Sequence, residues 1–113
     1  MRISNYSFGK ITVDGETFTQ DLIIFPDKVM PSWWRQQGHS LSPDDLMEVI
    51  ESAPDILMVG TGYSGVMKVP DDTVSYLEQK GIEVQINATA GAVEAFNHAP
   101  EDKKVIAALH LTC

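Results

Sequence analysis

The chain has 113 residues, 43% of them hydrophobic, enough for one compact domain over residues 1–113 with a core that needs no cross-links. Asp and Glu outnumber Lys and Arg by 16 to 8, for a formal charge of −8. Phosphate backbones and anionic lipid surfaces are repelled on average, so neither nucleic acid nor a membrane is expected as a partner. A small anion stays open as a ligand, because backbone amides at helix starts bind anions whatever the net charge.

The first residues, Met1 to Tyr6, carry neither an apolar signal core nor an Arg-rich presequence. Ile11-Thr12-Val13 and Glu16-Thr17-Phe18 flank Asp14-Gly15, whose tolerance of positive φ suits the two-residue turn of an antiparallel hairpin. That turn sets Ile11 opposite Phe18. Leu22 to Phe25 is a continuously apolar strand stopped by Pro26, and a loop from Pro26 to Ser40 follows.

The helix over Pro43 to Ala53 is strongly signposted. Ser42 caps it, Pro43 takes the first helical position, Asp45 supplies an acidic capping box, and Pro54 closes it. Leu46, Val49, Ile50 and Ala53 fall on one face. Beyond it, strand alternates with helix: Ile56 to Val59, a short extended return over Gly65 to Val69, a helix from Asp71 or Asp72 to Lys80-Gly81, and Ile82 to Ile86. A helix capped by Thr89 and the strand Val105 to Leu111 complete the chain. Two crossovers through helices of about ten residues predict three parallel strands. The fold class is α/β: a mixed central sheet with a parallel βαβαβ C-terminal half and an N-terminal antiparallel hairpin, layered β/β/α or α/β/α.

In such sheets ligands sit outside the carboxyl ends of the parallel strands. That predicts a crevice formed by Gly60, Thr61, Gly62, Tyr63, Ser64, Gly65, Thr89 and Cys113, with amides and hydroxyls to offer an anion. Gly60 to Gly65 spells G-x-G-x-x-G, but Val66 to Pro70 reads as extended where a dinucleotide site needs a helix, so a glycine-rich turn is the simpler reading. Trp33, Trp34, Arg35 and His39 form a candidate lid or partner surface. Two adjacent tryptophans cannot easily both be buried, and one is expected to face a partner. Arg35 reads as a solvated charge, with a carboxylate or anion clamp as the sharper alternative.

Catalytic and metal-binding residues are not expected, nor is a cofactor. Cys113, the lone cysteine, cannot make an intrachain disulfide, and a reducing cytoplasm is its natural setting. His110 is an unsuitable base for it, since residues three apart on a strand are roughly 10 Å distant and point to opposite faces. His110 alternates with Ile106 and Ala108 and reads as a core histidine.

Gly60-Thr61-Gly62, Pro70, Gly81 to Val84, Thr89 with Ala92-Val93, Asn97 and the ending Ala108 to Cys113 together resemble the adipogenesis-associated Mth-domain family. The segment Trp34-Arg35 with His39 is similar to that family's central loop. The resemblance spans nearly the whole chain and implies a single α/β domain with a mixed sheet. The family, which includes a mitochondrial complex I assembly factor, implies little chemistry. Three functions compete on this reading: a non-enzymatic accessory or assembly module that binds a protein partner or itself, a small-molecule or anion binder using the strand-end crevice, and a thiol enzyme or redox sensor using Cys113.

Overall fold

The computed structural model describes residues 1–113 and contains two sheets. Strands β1 (Ile3–Ser7), β2 (Lys10–Val13) and β3 (Glu16–Phe18) form an antiparallel sheet in chain order. Asp14 and Gly15 both have positive φ, 49° and 83°, and the register sets Ile11 against Phe18 as the turn chemistry predicts.

The larger sheet contains β4 (Leu22–Ile24), β5 (Val29–Met30), β6 (Ile56–Thr61), β7 (Glu83–Asn87) and β8 (Val105–His110), in the order β5-β4-β8-β6-β7. Strands β6, β7 and β8 are parallel, and β4 runs antiparallel to β8. The connection from β6 to β7 and the connection from β7 back past β6 to β8 run in opposite directions. Right-handed crossovers therefore put their helices on opposite faces. Helix α2 (Asp71–Gln79) buries Leu77 against Leu57, Val59, Ile106 and Ala108, while α3 (Thr89–Asn97) buries Ala92 against Met58, Ala107 and Leu109.

The small sheet shares the α3 side: Ile3, Ile11 and Val13 pack on Leu22, Ile24 and Leu109. The layering is thus helices, central sheet, then a layer that is part sheet and part helix. Asn97 of α3 joins the two halves of that last layer. Its side-chain oxygen accepts the Ile3 N–H at 2.9 Å and its amide donates to the Ile3 carbonyl at 2.7 Å, imitating a strand neighbour.

The helix expected after Ser42 begins as a 3-10 turn, Pro43–Leu46, and continues as α1 (Met47–Ser52). The Asp45 carboxylate reaches back to accept the Ser42 N–H at 2.9 Å and its hydroxyl at 3.1 Å. Ala53 ends α1 in the left-handed region, φ 50°, a position that favours glycine. Ala53→Gly is expected to raise stability by about 0.5–1 kcal/mol, read as a higher urea midpoint at unchanged slope.

Three local expectations differ. Gly65 to Val69 is no strand, since its only ladder contact is one bridge from Lys68 to Ser40. Strand β5 lies inside the segment expected to be loop; its two residues are too few to show a period. Ala88, not Thr89, is the N-cap of α3. No helix is long and apolar enough to cross a membrane.

Candidate functional site

Strands β6 and β8 end side by side, with Thr61 paired to His110. The fold therefore brings the predicted crevice residues together, but the chain's own last residues fill the space. Tyr63 N–H donates to the Thr112 carbonyl at 3.0 Å and Val66 N–H to the Cys113 carbonyl at 3.1 Å. Gly62, at φ 114°, is so close that an added Cβ would lie 2.4 Å from the Cys113 carbonyl carbon. A Cβ on Gly60 would lie 2.9 Å from the Thr89 hydroxyl oxygen. These glycines permit close packing, and the Gly62, Tyr63, Gly65 and Val66 amides are engaged within the chain. Tyr63 is exposed, Gly65 takes a positive φ of 70°, and Cys113 is exposed at the rim.

Thr89 lies inside the first turn of α3, fully buried, and ties the strand ends. Its hydroxyl accepts the Gly62 N–H at 2.9 Å and donates to the His110 carbonyl at 2.5 Å. Thr89→Val keeps the shape and strands both partners, so a loss of about 1–3 kcal/mol in denaturant unfolding is expected. On the same side the Tyr6 hydroxyl donates to the Leu111 carbonyl at 2.9 Å. Burial, above all, pushes the Tyr6 phenol above its usual 10.0, a Thr89 hydrogen bond pulls it back in part, and Tyr63 and Asp21 add to the rise. A phenol raised by folding contributes stability that is complete below about pH 10 and is lost as pH rises through the folded-state value. Stability should therefore fall on the alkaline side, and Tyr6→Phe should make that fall shallower in pH-dependent melts.

The opposite side of the β8 end holds a polar cluster. Asp21 stands immediately before β4. Its Oδ1 accepts the Leu111 N–H at 2.7 Å, and its Oδ2 lies 2.7 Å from His110 Nδ1 and 3.0 Å from Arg35 Nη1. Arg35 Nη2 lies 3.1 Å from the same His110 nitrogen, so the carboxylate, the imidazole and the guanidinium meet at one point. The Arg35 fork also donates to the Gly38 carbonyl at 3.0 and 3.3 Å, and its guanidinium stacks 4.8 Å over the Trp33 ring. The Arg35 and His110 side chains are only 5% and 7% exposed. Arg35 Nη1 and His110 Nε2 are buried with no hydrogen-bond partner, and the His39 ring meets His110 edge-on with centroids 6.0 Å apart.

Arg35 is thus an internal carboxylate clamp and not a solvated charge, and His110 is a core histidine satisfied on one nitrogen only. Their joint effect is mechanical: they fasten the loop from Trp33 to Ser40 onto the end of β8. Trp33 turns inward, donating its indole N–H to the Asp45 carbonyl at 2.9 Å, and its backbone N–H donates to the Asp21 carbonyl at 2.7 Å. Trp34 turns outward and is 81% exposed. It borders a cleft of about 460 Å³ lined also by Asp21, Ser32, Arg35 and Thr112. Asp21 is the residue that sequence reasoning missed. Its one signal was an acid directly before a wholly apolar strand, which says nothing about a histidine 89 positions away.

The model of a family described as protein of unknown function (DUF498/DUF598) matches residues 3–110. The NADH dehydrogenase [ubiquinone] 1 alpha subcomplex assembly factor 3 of Xenopus tropicalis is 24% identical over 111 residues, 96% of this chain and 59% of that protein. The chain thus spans about three-fifths of the length of that curated relative. A conserved hypothetical protein of Pyrococcus horikoshii superposes with a TM-score of 0.84 at 26% identity, covering 100% of both chains. A Mth938-like domain protein of Bordetella pertussis does so at 0.77 and 20%, over 97% of this chain and 85% of that one. With residues 3–110 matched, the chain belongs to the DUF498/DUF598 family of proteins of unknown function, the Mth-type domain that its ending resembles.

Proposed function

We propose that this protein is a single-domain, non-enzymatic accessory module that docks a protein partner through Trp34. The carrying observation is the indole itself: 81% exposed, next in sequence to a buried tryptophan, on a loop fixed by the Asp21–Arg35–His110 cluster. A large aromatic held rigidly in the open gives contact area with little ordering entropy left to lose, which is the physical character of an interface hot spot. Met47, also exposed, lines a second cleft with Trp34, Asp44 and Glu48, giving an apolar centre with an acidic rim. The assembly-factor name of the frog relative supports an accessory role. The exposed lone thiol fits a reducing compartment such as the cytoplasm. A small-molecule or anion site at the strand ends has less support, because the Gly62, Tyr63 and Val66 amides are engaged by Thr89, Thr112 and Cys113.

The test is a photo-crosslinking amino acid at position 34 in cells, followed by affinity measurement with whatever protein it captures. Trp34→Ala should weaken that complex at least tenfold and leave the melting temperature almost unchanged, since the side chain is 81% exposed. Absence of any crosslink, together with a free monomer in cell extract, overturns the proposal.

A further inference from the structure

Beyond that reading, we infer that β7 is a self-association edge, through which two copies join antiparallel about Gln85 into one continuous ten-stranded sheet. Strand β7 closes one side of the five-stranded sheet and pairs only with β6. In a parallel ladder, alternate residues turn both backbone groups toward the same neighbour. The Glu83 N–H bonds to the Asp55 carbonyl at 3.0 Å on the β6 side, so Glu83, Gln85 and Asn87 face inward. Val84 and Ile86 therefore present their N–H and C=O groups outward. The edge is lightly guarded: the strand has no proline, lysine or register shift, its one charge is Glu83 at the first position, and Ile86 is 44% exposed.

The strand is complementary to itself. With Gln85 on a two-fold axis, Val84 lies opposite Ile86 of the second copy and Ile86 opposite its Val84. Both are outward-facing positions, so each pair exchanges two hydrogen bonds, four in all. Both are also apolar cross-strand pairs. Glu83 meets Asn87, a carboxylate against an amide, and no like charges are opposed. Centring the axis on Val84 or Ile86 retains only one outward pair within the strand. An odd shift opposes outward groups with inward ones. The contact has about five residues a side, against the roughly 20–30 of a stable interface, so the dimer is weak and reversible. Each copy carries −8, so salt strengthens association by screening the repulsion.

Sedimentation equilibrium over rising protein concentration tests this at low and at high salt. The expected result is an average mass climbing from 12.5 kDa toward twice that value, more steeply at high salt. Ile86→Lys should weaken dimerisation at least tenfold, and Trp34→Ala should leave it unchanged, which separates this edge from the partner-docking reading. In the wild type, hydrogen exchange supplies a readout free of any folding defect: the Val84 and Ile86 amides should slow with concentration while that of Gln85 does not. A mass fixed at the monomer value under all conditions overturns the inference. So does a dimer whose Val84 and Ile86 amides exchange as in the monomer, or one that Ile86→Lys leaves intact.

Discussion

Asp21→Ala is expected to destabilise the fold by about 3–5 kcal/mol, the range for removing one partner of a buried charged pair. The carboxylate accepts the Leu111 N–H, sits against His110 Nδ1 and pairs ionically with the Arg35 guanidinium. Alanine leaves the Leu111 N–H unpaired and the buried guanidinium without a counter-charge, held only by the Gly38 carbonyl and the His110 ring. Against a typical domain stability of about 5–15 kcal/mol, that is a large share. Asp21→Asn separates the contributions. Its side-chain oxygen can still accept the Leu111 N–H while the charge is lost, so a smaller cost of about 1–3 kcal/mol is expected. Urea unfolding reads the stability. Tryptophan emission reads the loop, because unfastening Arg35 uncovers the Trp33 ring and should shift its emission to longer wavelength in the native baseline. If Asp21→Ala unfolds at the wild-type midpoint with unchanged emission, the cluster does not hold the loop.

Gly62→Ala should be nearly as damaging, about 2–5 kcal/mol, for two reasons that add. At φ 114° a side chain is strained whatever the space around it, and here the new Cβ would stand 2.4 Å from the Cys113 carbonyl carbon and 2.5 Å from the Thr112 oxygen. The relief available is displacement of the last two residues, which breaks the bonds from Tyr63 and Val66. Amide exchange at those two positions should speed up well before global unfolding. Gly38→Ala is the control, since a Cβ there meets nothing within 4 Å and no strained φ is involved. It should be neutral within about 0.5 kcal/mol. Equal stability of the two variants would mean that the terminal segment is not held against the glycine loop.

The elements that the sequence made legible are those specified by neighbours in the chain. Asp14-Gly15 needs only its own φ preferences to set Ile11 against Phe18. Ser42, Pro43 and Asp45 mark a helix start within four residues. The apolar runs of β6 and β8 announce burial on both faces, and the glycine after Lys80 takes the positive φ expected of it. The place where β6 and β8 end together also followed from the alternation of strand and helix.

What the sequence determined by itself was the α/β class, the parallel core and the edge at which the parallel strands end. Tertiary structure decided what that edge is. The chain's own terminus fills it on the Thr89 side, while on the other side Asp21, Arg35 and His110, drawn from three distant segments, fasten a loop. Either of two adjacent tryptophans can be the buried one by composition alone; the stacking of Arg35 on Trp33 and the indole bond to Asp45 settle that Trp34 faces out. The physical reason is range: turn and cap preferences act over a few residues. Close packing and buried charge pairs depend on groups that meet only after the chain has folded.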